Sequence, residues 1–269
     1  MNEKITVIVL NWNGGQNTID CLESLEKIAD DNLKVLVVDN CSKIDPIDKI
    51  KVQFPEFDYL ELDKNYGYSG GNNRGFDYLK NDTDFVCFLN NDVVVDSEFI
   101  KYFRNALKNF GVQNIFGPKI LFDNPSDKIW YGGGIVNLKE GLIFHKNIGL
   151  KENIVFTKAG KTDYITGCCL MISRKLFKKL NGFNEQFNMY AEDVDLCLRA
   201  KKHNINCIYV PKSKIWHKIS ASTGGRYSIK KYIKKLKSIQ KLVKIHEPNL
   251  NSIFIAIKTI FSTLFHSKI

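Results

Sequence analysis

The sequence predicts an α/β chain: a Rossmann-like, mostly parallel sheet flanked by helices and followed by a basic helical C-terminal tail. Three observations predict it. Short apolar runs rich in β-branched residues alternate with segments of crossover length, the pattern of parallel strands joined by helices. The segment after the first run carries apolar residues at helical spacing. Asn or Asp follows run after run, at the position where an open α/β sheet presents its ligand-binding rim.

Taken in order, residues 5–10, 35–38, 59–62 and 85–89 read as strands. Between the first two, Ile19, Leu22, Leu25 and Ile28 line one helical face, and Asn17 with Asp20 three residues on has the spacing of an N-terminal cap. A second helix is expected after Gly70-Gly71, running to about Lys80. No internal repeat, low-complexity linker or shift in composition precedes about Ser228. Residues 1–227 are therefore expected to form one domain and residues 228–269 a helical tail.

Strand one ends in Asn11-Trp12-Asn13 and strand two in Asp39-Asn40; strand three leads into NYGYSGGNNRG, and strand four ends in Asn90-Asn91-Asp92. Each is by itself an ordinary turn signal. Four on one rim point to a ligand. The glycine run lacks both the GxGxxG spacing of a dinucleotide fingerprint and the Gly-Lys-Ser/Thr ending of a P-loop, so both cofactor classes are excluded. It reads either as a close-approach loop at a helix N-terminus, where backbone N–H groups and Arg74 meet phosphate or sugar oxygens, or as a structural turn whose glycines permit tight packing.

The ordered motifs VIVLNWNG, VVDNCS, NYGYSGGNNRG and FLNNDVVVD, followed by TGCCLMI, NGFNE, YAEDVDLCLR and Trp216-His217, resemble the family 2 glycosyltransferases of the GT-A fold, in particular the bacterial rhamnosyltransferase-like branch. The resemblance covers about residues 3–220. It implies a metal-dependent, inverting hexosyltransferase that moves a sugar from a nucleotide-diphosphate donor, dTDP-rhamnose or a UDP-hexose, to an acceptor hydroxyl in surface polysaccharide synthesis. By the same resemblance Asp39 hydrogen-bonds the base, and Asn11 and Asn13 lie near the nucleoside. Asn65, Gly67, Gly71, Asn72, Arg74, Asn90 and Asn91 complete the donor site. Asn90-Asn91-Asp92 stands where the family carries Asp-x-Asp; Asn90 replaces the first acid and leaves Asp92 as the carboxylate for the metal, with His217 as the late metal-binding histidine. Asp193 takes the general-base role, with Glu192 and Asp195 as its competitors.

The chemistry has its own logic. A departing diphosphate gathers negative charge that a divalent cation offsets; oxygen ligands suit Mn²⁺ or Mg²⁺, and an imidazole ligand tilts the choice toward Mn²⁺. Three acids in the first turn of a helix also complement its dipole, the local explanation for Glu192, Asp193 and Asp195.

Composition bounds the rest. With 44% hydrophobic and 12% aromatic residues the chain buries a real core, which argues against disorder. Much of the net charge of +10 lies in residues 230–244, KKYIKKLKSIQKLVK, with seven lysines, no acid and apolar residues at helical spacing. Residues 253–265 are apolar but broken by Lys258 and shorter than the ~20 residues a membrane span needs. Three readings follow: a helix packed on its own domain, a helix on an anionic membrane surface, or a nucleic-acid contact. The expected partners are the nucleotide sugar, a glycan acceptor with a lipid-linked one favoured, and the anionic membrane surface, not nucleic acid; a homodimer is left open. The first residues lack a signal-peptide pattern, so a cytoplasmic place at the inner face of the membrane is expected. Seven cysteines without a CxxC pair read as reduced core thiols. Of the rival enzyme classes, a glycoside hydrolase needs no nucleotide pocket, and a sugar nucleotidyltransferase needs a basic glycine loop after strand one, where Asn13-Gly14-Gly15-Gln16 has no basic residue.

Overall fold

The computed structural model describes residues 3–155, 158–187, 189–218 and 229–266. The first half runs β1 (Ile5–Asn11), α1 (Gln16–Glu26), β2 (Leu33–Asp39), α2 (Asp48–Gln53), β3 (Asp58–Glu61), α3 (Gly67–Tyr78), β4 (Phe85–Asn90), β5 (Val93–Val95) and α4 (Phe99–Phe110). Then come β6 (Asn114–Phe122), β7 (Ile129–Tyr131), β8 (Gly134–Asn137), β9 (Leu142–His145), β10 (Gly160–Thr162), β11 (Cys169–Ser173), α5 (Arg174–Lys179), α6 (Glu192–Lys202) and β12 (Asn206–His217). The tail is α7 (Ile229–His246) and α8 (Ser252–His266).

One large sheet carries the order β10-β12-β6-β11-β4-β1-β2-β3. Strands β3, β2, β1 and β4 pair in parallel, as the alternating runs predict. Strand β11 lies antiparallel between β4 and β6, and β6 pairs in parallel with β12. The central strands β1, β4 and β6 are buried along nearly their whole length; β1 and β4 accordingly read as near-continuous apolar runs without alternation, whereas β6 carries Gly117, Pro118 and Lys119. Leu22 and Leu25 of α1 bury the predicted apolar face.

Two local expectations are corrected. Helix α1 is entered through Gly15 in a left-handed conformation (φ 47°), without a side-chain cap; Asn17 and Asp20 lie inside the helix. Helix α3 begins at Gly67, so the glycine run is the first half of a helix and not a loop before one. The reason is close packing: a Cβ on Gly71 would stand 2.6 Å from Leu10 Cδ1, and one on Gly75 would stand 2.7 Å from Val38 Cγ2. Glycines let α3 lie directly on β1 and β2, at a propensity cost of ~1 kcal/mol each.

All seven cysteines are free thiols, six of them buried. The tail folds back on the domain: Ile239, Leu242 and Val243 of α7 and Ile255 and Ala256 of α8 join the main core. Among the described residues no helix is long and apolar enough to cross a membrane. The expected boundary at 227/228 and the side chains of Lys230 and Lys231 lie outside the described residues.

Candidate active site at the carboxyl rim of the sheet

Register brings the strand ends together: Asn11 pairs with Asp39, and Leu10 with Asn90. Asn11 is fully buried and its amide is committed on every side. Its Oδ1 accepts from Thr18 Oγ1 (2.7 Å), Gly14 N (3.2 Å) and Asn91 Nδ2 (3.3 Å), while its Nδ2 donates to Asp39 Oδ1 (2.7 Å) and Ser42 Oγ (3.2 Å). Asp39 also accepts the Ser42 hydroxyl (2.6 Å) and backbone N–H (2.9 Å). That leaves one acceptor position on Oδ2 not taken up by the described residues. Asn91 donates to Thr18 Oγ1 (2.8 Å), and Asn13, left-handed at φ 49°, accepts from Lys43 N and Ile44 N. Gly14 touches this knot so closely that a Cβ would lie 2.0 Å from Asn91 Nδ2 and 2.2 Å from Thr18 Oγ1. Asn11 and Asn13 thus hold the rim in shape, and Asp39 is the charged group at its centre.

Asn40 extends the knot to α3: it donates to Asn65 Oδ1 (3.2 Å) and Gly67 O (3.1 Å) and accepts from Tyr66 N (2.9 Å). The Gly67 N–H donates to Asn65 Oδ1 (2.8 Å). Arg74 pairs with Glu185 (3.0 Å), donates to Gly70 O and lies 3.5 Å over the centre of the Tyr66 ring. Asn72 is buried and donates to Tyr68 O. With Gly71 against Leu10, these parts of the glycine motif hold the helix onto the sheet.

After Asn90 and Asn91 the chain enters β5, which pairs antiparallel with the end of β12 so that His217 lies opposite Val93. The Lys218 N–H donates to Asp92 O (2.8 Å), and His217 Nε2 stands 3.3 Å from Asp92 Oδ1. His217 is 9% exposed, and its ring meets Trp130 edge-on at 4.6 Å. Two donors 3.3 Å apart suit neighbouring positions around one cation with bonds of ~2.1 Å. Among the described residues no group of three His, Cys, Asp or Glu could hold a metal. The pair fits the Mn²⁺ and Mg²⁺ habit of taking one or two protein ligands and filling the remaining positions with phosphate oxygens and water.

The acid motif opens α6. Tyr190 and Ala191 precede it with φ of 72° and 70°, two left-handed non-glycine residues in succession, each costing ~1–3 kcal/mol. Asp193 Oδ2 accepts from Gly167 N (2.8 Å) and Oδ1 from Val194 N (2.8 Å). Burial raises the Asp193 pKa, and the donors from Gly167, Val194 and Thr166 oppose the rise. Glu192 is buried, its Oε2 has no hydrogen-bond partner among the described residues, and burial together with the Asp193 charge pushes it up to about 8. Two adjacent buried carboxylates do not ionise together; the one with hydrogen-bond donors keeps the charge and Glu192 keeps the proton. Asp195 differs: fully buried, it is paired with Arg199 (2.8 Å) and His246 (2.8 Å).

The three parts meet at Thr166, Gly167 and Cys168. Gly167 donates to Asp193 and accepts from the Tyr68 hydroxyl (2.5 Å), and Cys168 O accepts from Asn90 N (3.0 Å). The acid helix, the glycine helix and the Asn90-Asn91-Asp92 turn are thus tied to one short segment. Thr18 lies outside every motif read from the sequence, and Asn40, Ser42, Tyr68 and Thr166 lie inside such motifs without a role of their own assigned there. Ser42 had a signal, lying three residues after Asp39 in an Asx-turn pattern; the others act through partners distant in the chain.

Comparison with known proteins gives the same reading of the fold. Residues 6–181 match Glycosyl transferase family 2, and residues 155–230 match the family described as the N-terminal domain of galactosyltransferase. The low-salt glycan biosynthesis hexosyltransferase Agl10 of Haloferax volcanii is 28% identical over 77% of this chain, which spans 64% of that protein. The rhamnosyltransferase WbbL of Escherichia coli is 27% identical over 76% of the chain and 80% of its own. The N-acetylglucosaminyl-diphospho-decaprenol L-rhamnosyltransferase of Mycobacterium tuberculosis is 23% identical over 83% and 79%. Among solved structures, GalNAc-T7 with UDP, GalNAc and Mn²⁺ superposes with a TM-score of 0.70 at 14% identity, over 90% of this chain and 48% of that one. S. aureus TarS 1–349 gives 0.60 at 14% identity, over 98% and 90%. The architecture is that of the GT-A glycosyltransferases, and the chain belongs to glycosyl transferase family 2, in its rhamnosyltransferase-like branch.

Proposed function

We propose that the chain transfers a sugar from a nucleotide-diphosphate donor, dTDP-rhamnose or a UDP-hexose, to a glycan hydroxyl with inversion at the anomeric carbon. The observation that carries this reading is the junction at Thr166, Gly167 and Cys168, which links the Asp92–His217 pair to an anionic Asp193 beside a protonated Glu192. Asp39 accepts the N3–H that uracil and thymine share. Asp92 and His217 would hold a divalent cation, which would supply positive charge to the leaving diphosphate. Asp193 takes the proton of the acceptor hydroxyl as its oxygen bonds to the anomeric carbon and the bond to the diphosphate breaks on the opposite face. A role in surface glycan synthesis is supported by the names of relatives, a low-salt glycan biosynthesis hexosyltransferase and an O-antigen biosynthesis protein, and a lipid-linked acceptor by that of the diphospho-decaprenol rhamnosyltransferase.

A membrane-facing role for the tail has its own support. Helix α8 turns Ile255, Ala256 and Thr259 inward but leaves Ile253, Phe254, Ile257 and Phe261 on an outer face, Phe254 at 64% exposure. Lys234, Lys237 and Lys244 of α7 are exposed as well. An exposed apolar row on α8 and exposed lysines on α7 suit an anionic bilayer surface.

The central test uses Asp193→Asn with a panel of dTDP-rhamnose and UDP-hexoses in Mn²⁺. The variant is expected to fold and bind donor as the wild type does while losing ~10²–10⁴ in turnover, about 3–5 kcal/mol of barrier. Near-normal turnover in Asp193→Asn would remove it as the base.

A further inference from the structure

The geometry points to helix α7 as part of the catalytic apparatus: it holds the segment that carries Asp193 in place, and His246 is its positioning residue. The inference rests on Asp193 acting as the base.

Helix α7 runs along the chain leading into the acid motif and grips it repeatedly. Ser238 Oγ donates to Met189 O (3.0 Å), Lys241 Nζ donates to Gln186 O (2.5 Å), and the same ammonium lies 5.7 Å over the Phe187 ring. At its last residue, His246 Nε2 meets Asp195 Oδ1 at 2.8 Å, with the His246 side chain 4% exposed and Asp195 fully enclosed. Arg199 holds the other Asp195 oxygen (2.8 Å) and reaches on to Leu180 O and Gly182 O (2.9 Å). A buried carboxylate that loses one of two charged or polar partners is strongly disfavoured in place, so the turn relaxes when His246 withdraws.

That turn is the one on which Asp193 sits. Asp195 N donates to Ala191 O (2.9 Å), closing the first turn of α6 over the left-handed Tyr190–Ala191 pair. Strained residues of this kind persist only where surrounding contacts over-determine them. The contacts here come from Gly167 on one side, through Asp193, and from α7 on the other, through Met189, Gln186 and Asp195. The tail therefore supplies half of the clamp, and displacement of the base by about 1 Å is enough to cost ~10²-fold in rate.

The test compares full-length His246→Phe, which fills the site without a ring N–H, with His246→Gln, whose Nε2 can occupy the position of the imidazole nitrogen. Ser238→Ala/Lys241→Met, at partly exposed positions, serves as a gentler second probe. Two readouts are taken: amide exchange of peptides spanning residues 189–198 without ligand, and kcat and KM on the nucleotide sugar that the wild type consumes. His246→Phe is expected to speed exchange at least ~10-fold and lower kcat ~10–100-fold with donor KM within about twofold. His246→Gln restores both to within about threefold, and the double variant shifts both in the same direction by less. Wild-type exchange or wild-type kcat in His246→Phe overturns the inference; if that variant does not fold, the same result in the double variant overturns it. Should Asp193→Asn prove active, the base assignment fails by itself, while the exchange of 189–198 still judges the clamp.

Discussion

The protonated Glu192 makes a prediction that needs no substrate. Its pKa stands at about 8 in the folded chain, raised by burial and by Asp193, against ~4.3 for an unperturbed glutamate. The folded state binds this proton more tightly than the unfolded state, so the site's contribution to stability is fully present below about pH 4 and is lost as pH rises toward 8. The slope is ~1.4 kcal/mol per pH unit across that window. Glu192→Gln keeps the size and cannot ionise, so its stability lacks this slope while every other titrating group is shared. Between pH 5 and pH 8 the variant should gain about 3–4 kcal/mol on the wild type. Urea unfolding of both proteins at pH 5, 6, 7 and 8 reads the difference directly. Turnover at pH 7 should stay within about threefold, because an amide replaces a group that is already neutral. Parallel stability curves would refute the reasoning, since they require Glu192 to be charged throughout and the negative charge to be spread over both acids.

The remaining predictions test the rim, the cation and the tail. Gly14→Ala should destabilise by about 3–5 kcal/mol, because its methyl displaces Asn91, Thr18 and Asn11 from their mutual hydrogen bonds; a loss below about 1 kcal/mol in urea midpoint analysis would show that the knot yields freely. Chelation should abolish transfer and Asp92→Ala should reduce it ~10²–10³-fold, while His217→Ala should raise the Mn²⁺ concentration needed for half activity; full turnover in excess chelator rejects a metal role, and an unshifted Mn²⁺ titration rejects His217. The chain should bind anionic phosphatidylglycerol vesicles with an affinity that falls as salt rises, and Phe254→Ser/Phe261→Ser should weaken that binding; equal binding by the variant excludes the outer face of α8 as the contact.

The fold was legible where neighbours in sequence are neighbours in space. Strands β1, β2 and β4 announce themselves as apolar runs because they are buried on both faces, and the parallel order follows from the connection lengths. Helix α3 was misread at its start because glycine is a poor helix former. Its glycines record the proximity of Leu10 and Val38, a tertiary fact that overrides propensity. Strands β6 and β12 contain proline and lysine within their runs, and what makes them strands is their pairing with each other across the sheet.

The site divides along the same line. Asp39, Asp92, Asp193 and His217 were all named from motifs, but their relations were not, because each depends on a pairing that skips most of the chain. Asp92 meets His217 only because β5 pairs back onto the end of β12, and Asp193 is held only because Gly167 turns its N–H toward α6. A motif reports which chemistry is present; the state of that chemistry is set by burial and by which donors arrive. Three acids in four positions look interchangeable in sequence. In the fold one is protonated, one is held by backbone N–H groups, and the third is spent on Arg199 and His246. The environment is therefore what favours the proposed base, since Asp193 is the one of the three that combines a negative charge with a place at the junction of the site.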